Sequence, residues 1–385
     1  MKIAFVGKGG SGKTTLSSLF VRHLAAAGTP VVAVDADINQ HLGAALGLSD
    51  EEAAALPSMG AHLPQIKEYL RGTNPRIPSA DSMIKTTPPG RGSRLVRPAG
   101  RPHPGAPSGA ASADAAADAA ADAPADPFAT ACSRWIPLDG LSGGSAHGAR
   151  LMVTGPFTEE DLGVTCYHSK VGAVELYLNH LVDGRDEYVV VDMTAGSDSF
   201  ASGLFTRFDL TFLVAEPTRR GVSVYRQYKE YARDFDVALA VVGNKVQDQA
   251  DLDYLRAEVG DDLLVAVGRS NWVRALEKGR PPRFDLLEEG TRTALDTMRE
   301  RADRAYEDRD WARYTAQMAH FHRRNAESWG NARVGEDLAA QIDPRFALSE
   351  EAAEAAIGTA GAAEPATGST TPASGSAAPA AVLAR

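Results

Sequence analysis

Cysteine is nearly missing from this chain: 385 residues contain only Cys132 and Cys166. Two cysteines exclude a disulfide framework, and the chain reads as one made for a reducing cytoplasm. Long apolar runs are missing too. The opening "MKIAFVGKGG" has four apolar residues before its first glycine, too few for the core of a secretory signal. Nowhere do roughly 18 apolar residues follow one another, so no membrane span is expected. Positive charge is in deficit. Lys and Arg number 40 against 50 Asp and Glu, a formal net charge of -10, which disfavours nucleic acid and anionic lipid as partners. What is present is an ordinary globular composition, 44% hydrophobic and 23% charged, long enough for one large or two medium domains.

Two stretches depart from that composition. Residues 98–130 are almost all Ala, Pro, Gly, Ser and Asp, with Asp114, Asp118, Asp122 and Asp126 four apart. On a helix these carboxylates would form one repulsive stripe, so the stretch is expected to be a disordered insertion. Residues 346–385 are expected to be a flexible tail of similar composition. The remainder alternates apolar strand runs ("KIAFV", "VVAVDAD", "RLMVTG", "YVVVDM", "LTFLVAE", "VALAVVGN", "LLVAVG") with helical patterns such as "TTLSSLFVRHLAAAG" and "VGAVELYLNHLV". Nearly continuous apolar strands between helices predict an α/β fold, a doubly wound and mostly parallel sheet with helices on both faces. Residues 1–97 and 131–285 are expected to be two parts of one domain, with 286–345 a helical extension. In such sheets ligands sit beyond the carboxyl ends of the strands, where the following motifs fall.

Residues 7–15 read "GKGGSGKTT" and hold the spacing of a phosphate-binding loop between a strand and a helix. Gly7, Gly9, Gly10, Ser11, Gly12 and Thr15 bring backbone N–H groups close to phosphate oxygens. Lys13 reaches the β- and γ-phosphates, and the Thr14 hydroxyl ligates Mg²⁺. Asp192, at the end of "VVVDM", is placed to hold Mg²⁺, commonly through water. Gly196 in "DMTAG" is placed to let a loop approach the γ-phosphate. Asp35 and Asp37 in "VDAD" are two apart and point the same way on a strand. Asp37 is the candidate for orienting the attacking water, and Asp35 either a second-sphere metal residue or a loop cap. Asn244 in "VVGNKV" is placed to pair with adenine. A guanine site would want Asp at position 247, which is Gln, so ATP is expected over GTP.

Lys8 is a second lysine inside the loop. With it, "GKGGSGKTT" resembles the deviant Walker-A loop of the MinD/ParA group of P-loop ATPases, which includes the nitrogenase iron protein and the nickel-insertion ATPases of carbon monoxide dehydrogenase. The resemblance covers roughly residues 1–56 and 148–283. It implies an ATPase that dimerises on ATP, with Lys8 crossing to the partner's nucleotide as a finger. The segment from "GVTCYHSK" to "DMTAG" is similar to that of the nickel-insertion ATPases, whose Cys-x-Cys pair is here Val164-Thr165-Cys166. One cysteine per subunit leaves, across a two-fold axis, Cys166 and His168 as candidate interface metal ligands. With no cysteine after Asp192, nitrogenase-like electron transfer is not expected.

The reading that follows is a cytoplasmic ATPase switch, a homodimer when ATP-bound, acting on an unidentified client protein, with metallocentre maturation as one process. The alternative is a ParA/MinD-like positioning ATPase that binds DNA or membrane. In "HFH", His320 and His322 point apart on a helix and share no metal. Trp311, Tyr314, Met318 and Phe321 recur at helical spacing and predict a helix packed on its own domain or a partner.

Overall fold

The structure is a computed structural model. It describes residues 1–37, 39–98, 126–138, 141, 147–155, 167–194, 200, 203–280, 282–349 and 351, with the backbone alone at 167–170 and 232. Eight strands form one sheet among the described residues: β1 (Lys2–Gly7), β2 (Val31–Ala36), β3 (Arg134–Pro137), β4 (Gly148–Val153), β5 (Tyr188–Met193), β6 (Leu210–Ala215), β7 (Leu239–Val246) and β8 (Leu263–Gly268). Their order is β3-β4-β2-β5-β1-β6-β7-β8, parallel except for β3. The helices are α1 (Lys13–Ala26), α2 (Leu42–Ala45), α3 (Asp50–Ala54), α4 (Leu63–Arg71), α5 (Pro127–Thr130), α6 (Tyr167–His180), α7 (Arg219–Ala232), α8 (Gln249–Val259), α9 (Asn271–Leu276), α10 (Glu289–Glu307), α11 (Trp311–Asn325) and α12 (Asn331–Val334).

The apolar strands bury both faces, as side-chain alternation requires. Ile3 and Phe5 of β1 join a core with Leu16, Leu19, Phe20 and Leu24 of α1 and the inner face of α10. Ala4 and Val6 point to the opposite core, under α4, α6, α7 and α8. The parallel register sets Asp35 of β2 opposite Asp192 of β5 at their carboxyl ends. No described helix is long and apolar enough to cross a membrane.

Two expected boundaries are revised. The insertion ends earlier than residue 130. Asp126 caps α5 by accepting from the Phe128 N–H at 2.9 Å, and Phe128, 1% exposed, stacks on Tyr177 with ring centroids 4.7 Å apart. Phe128, with the buried Pro127 and Cys132, packs this segment into the core, whereas residues 99–125 lie outside the described residues. The tail begins later than residue 346. Leu348 is 1% exposed against Leu95, Val182, Tyr314 and Met318. The short strand β3 is a structural addition: it pairs antiparallel with β4 at the sheet edge. The extension packs on its own domain, with Tyr314, Met318 and Phe321 of α11 buried.

His180 and His322 are fully buried. The His180 Nδ1 faces the Leu176 carbonyl at 2.9 Å. The His322 Nε2 faces the Leu338 carbonyl at 2.9 Å, and its Nδ1 the Thr86 hydroxyl at 3.2 Å. Burial pushes each down to about 4, although these backbone contacts oppose the fall. An unfolded histidine takes its proton near pH ~6.5. Their contribution is therefore complete above that value and declines as pH drops toward 4, by a few kcal/mol in all. The urea midpoint is expected to fall between pH 7.5 and 5. A midpoint constant across that range would contradict the buried neutral assignment.

Candidate nucleotide site

The loop between β1 and α1 turns at glycines that admit no side chain. Gly7 has φ +150°, and a Cβ there would lie 2.5 Å from the Val214 carbonyl oxygen. Gly12 has φ +95°, and a Cβ there would lie 2.2 Å from Asn244 Nδ2. Both positions therefore need glycine for approach as well as for backbone angle. Helix α1 opens directly on Lys13 with no side-chain cap. Side chains do cap α7, α8 and α11, from Thr218, Asp248 and Asp310. The free N–H groups of α1, with the positive end of its dipole, make an anion cradle. Ser11 is buried beside them, and among the described residues its Oγ has no hydrogen-bond partner. Gly9 and Gly10 are exposed and Thr15 half-buried. Lys13 is 6% exposed, and among the described residues neither it nor the half-buried Lys8 has an ion pair.

The carboxylates expected at the strand ends do converge. The Thr14 hydroxyl donates to Asp192 Oδ2 at 2.6 Å, while among the described residues the buried Oδ1 of Asp192 has no partner. Burial pushes Asp192 up to about 7, and nearby Asp37 adds to the rise; the Thr14 hydrogen bond and Lys13 oppose it. Asp35 is fully buried. Burial first, and then the Asp192 charge, hold it well above the usual carboxylate range. It accepts from the backbone N–H of Asp37 at 3.1 Å and of Leu42 at 2.8 Å, so its geometry is that of a loop cap. Asp37 is half-buried and accepts from the Asn39 backbone and side chain at 3.0 and 2.9 Å. A divalent cation fits this set: an acceptor oxygen left bare, a hydroxyl next to it, and buried acids whose charge needs a counter-ion.

On the other side of the loop, an open cavity of about 640 Å³ lies between α1, the end of β7 and α9. Gly12, Thr15, Asn244, Val267, Ser270 and Arg274 line it. Asn244 has a second duty: its Nδ2 donates to the Ser11 carbonyl at 2.7 Å and ties β7 to the loop. Beside it, Lys245 stands at φ +61°, a left-handed angle unusual for lysine. Its Nζ donates to the Gly10 carbonyl and to Glu216 Oε1, both at 2.6 Å. Sequence reasoning missed this clamp. Its only local signal was that Glu216 and Lys245 each follow an apolar strand.

Gly196 and Cys166 lie outside the described residues, and so does the side chain of His168. Among the described residues, no group of three or more His, Cys, Asp or Glu side chains could hold a metal ion. Cys132 is a buried free thiol, pushed up to about 12 by burial and then by Asp126.

Residues 3–282 match the family described as CobQ/CobB/MinD/ParA nucleotide binding domain. An uncharacterized ATP-binding protein of Methanocaldococcus jannaschii is 26% identical over 268 residues, 69% of this chain and 83% of that protein. The carbon monoxide dehydrogenase accessory protein CooC of Rhodospirillum rubrum is 24% identical over 288 residues, 74% of this chain and 90% of that protein. Among solved structures, the MinC:MinD cell division protein complex of Aquifex aeolicus matches with a TM-score of 0.47 and 15% identity, covering 80% of this chain and 96% of that one. The phosphate loop, its open helix end and the Thr14–Asp192 pair agree with the family match: the chain belongs to the CobQ/CobB/MinD/ParA nucleotide binding domain family.

Proposed function

We propose that this protein is an Mg²⁺-dependent ATPase switch, active in the cytoplasm, that closes into a homodimer on ATP and so acts on a client protein. The observation that carries this is the bare Oδ1 of buried Asp192, with Thr14 on its other oxygen, next to an uncapped helix N-terminus. The backbone N–H groups of residues 9–15 cradle the phosphates, and Lys13 neutralises the β- and γ-oxygens. Thr14 and Asp192 are the residues that would hold Mg²⁺, which supplies charge neutralisation on the transferring phosphoryl group. Asp37 orients the water. Lys8, with no ion pair among the described residues, serves the nucleotide of the second subunit.

Lys8→Ala is the test. It should bind ATP as the wild type does and lose hydrolysis by roughly 10³-fold, the scale on which charged fingers act in related chemistry. Wild-type turnover by Lys8→Ala, measured as phosphate release, would refute the trans role. The name of the R. rubrum relative, a carbon monoxide dehydrogenase accessory protein, favours a metalloenzyme as client and metallocentre maturation as the process. Asp37→Ala is expected to stay in the ATP-bound dimer and to retain its client through affinity purification with ATP but not with ADP. Identical retention in both nucleotides would argue against a switch.

A further inference from the structure

Beyond residue 282, where the family match ends, the chain folds back and helps wall a second cavity that shares no lining residue with the phosphate loop. Its volume is about 370 Å³, inside the roughly 300–1,000 Å³ range of small-molecule pockets. The floor is apolar: Met83, Ile84 and Leu176 come from the domain, and Trp329 and Val334 from the extension. Three cations stand around it, Lys67 on α4, Lys85, and Arg333 on α12, against the single carboxylate of Asp81. Among the described residues none of the three has an ion pair. The Arg333 guanidinium lies 5.9 Å from the centre of the Trp329 ring. Burial lowers the Lys67 pKa, the charge of Arg333 lowers it further, and Asp81 only partly opposes them. Two cations facing one apolar cavity give it a local excess of positive charge that an anion would match.

We propose that this cavity binds a small organic anion with an apolar body, of the class of medium-chain or aryl carboxylates. The carboxylate sits between Lys67 and Arg333, and the body lies against Trp329, Met83 and Leu176. A guanidinium matches a carboxylate by two parallel hydrogen bonds, and the aromatic wall favours a flat or extended apolar group. The neutral or cationic analogue of the same body gains the floor contacts and loses the charge match.

Octanoate is the probe, with octylamine as its charge-reversed control, both titrated calorimetrically into the full chain. Octanoate is expected to saturate one site at millimolar concentration and to bind better than octylamine. Lys67→Gln/Arg333→Gln should weaken it about tenfold or more, while ATP binding stays as in the wild type. Arg333→Gln alone, at an exposed position that folding does not need, should weaken it in the same direction. Absence of saturable octanoate binding, equal binding of octylamine, or full affinity in Arg333→Gln would each overturn the assignment.

Discussion

Lys13→Ala should leave a folded protein that no longer holds ATP. Lys13 is 6% exposed, lies beside the uncapped N-terminus of α1, and has no ion pair among the described residues. Its positive charge therefore exists in the fold for an anion that must arrive. Removing one partner of a desolvated charge pair costs about 2–5 kcal/mol, which is on the order of 10²-fold or more in affinity. The stability without nucleotide should change little, since the desolvation cost of the buried ammonium offsets its attraction to Asp192. The upward shift in melting temperature that ATP confers on the wild type should vanish in Lys13→Ala. That contrast separates Lys13, which serves its own nucleotide, from Lys8, whose removal is expected to spare binding. Wild-type ATP affinity in Lys13→Ala would mean that the loop is a structural turn and not a phosphate cradle.

Arg309→Ala should cost about 3–5 kcal/mol of stability, the scale for breaking a buried ion pair from one side. Against a total of roughly 5–15 kcal/mol this is a large share. Arg309 sits at the corner between α10 and α11, and its side chain is 5% exposed. It donates through Nε to Asp209 Oδ1 at 2.6 Å, and through Nη2 to Asp183 and again to Asp209. Asp209 accepts the Lys2 backbone N–H at 2.7 Å, and Lys2 Nζ lies 3.2 Å from Asp183. One guanidinium thus bolts the extension to the amino ends of the strands. Burial alone would raise Asp183, but the first amino group, Arg309 and Lys2 together hold it well below the usual carboxylate range. Its contribution is present above the ordinary value of ~3.9 and is lost as pH falls below it. Arg309→Lys should recover only part of the loss, because a point charge replaces a fork that reaches two carboxylates. Urea unfolding at pH 7 decides it: an unchanged midpoint in Arg309→Ala would show that the cluster contributes nothing net.

The sequence by itself determined whatever depends on neighbours along the chain. The alternating faces of β1, the stripe of Leu16, Leu19, Phe20 and Leu24, and the spacing from Gly7 to Thr14 are local patterns. Each was legible because sheet and helix periods, and the shape of a phosphate loop, are set within about a dozen residues. The convergence of Asp35, Asp37 and Asp192 with Thr14 could also be anticipated, since parallel strands end on the same side of a sheet. What only the tertiary structure decided are contacts between residues far apart in sequence, which no periodicity encodes. The clamp from Lys245 to Gly10 and Glu216 needs β6, β7 and the loop side by side. The short β3 exists because β4 offers it an edge, and Phe128 and Leu348 are ordered because the core has room for them. Arg309 looked like one charge among many in a polar helical segment. Folding removed water from it and from two aspartates at once, and desolvation, which depends on everything packed around a group, made it a keystone.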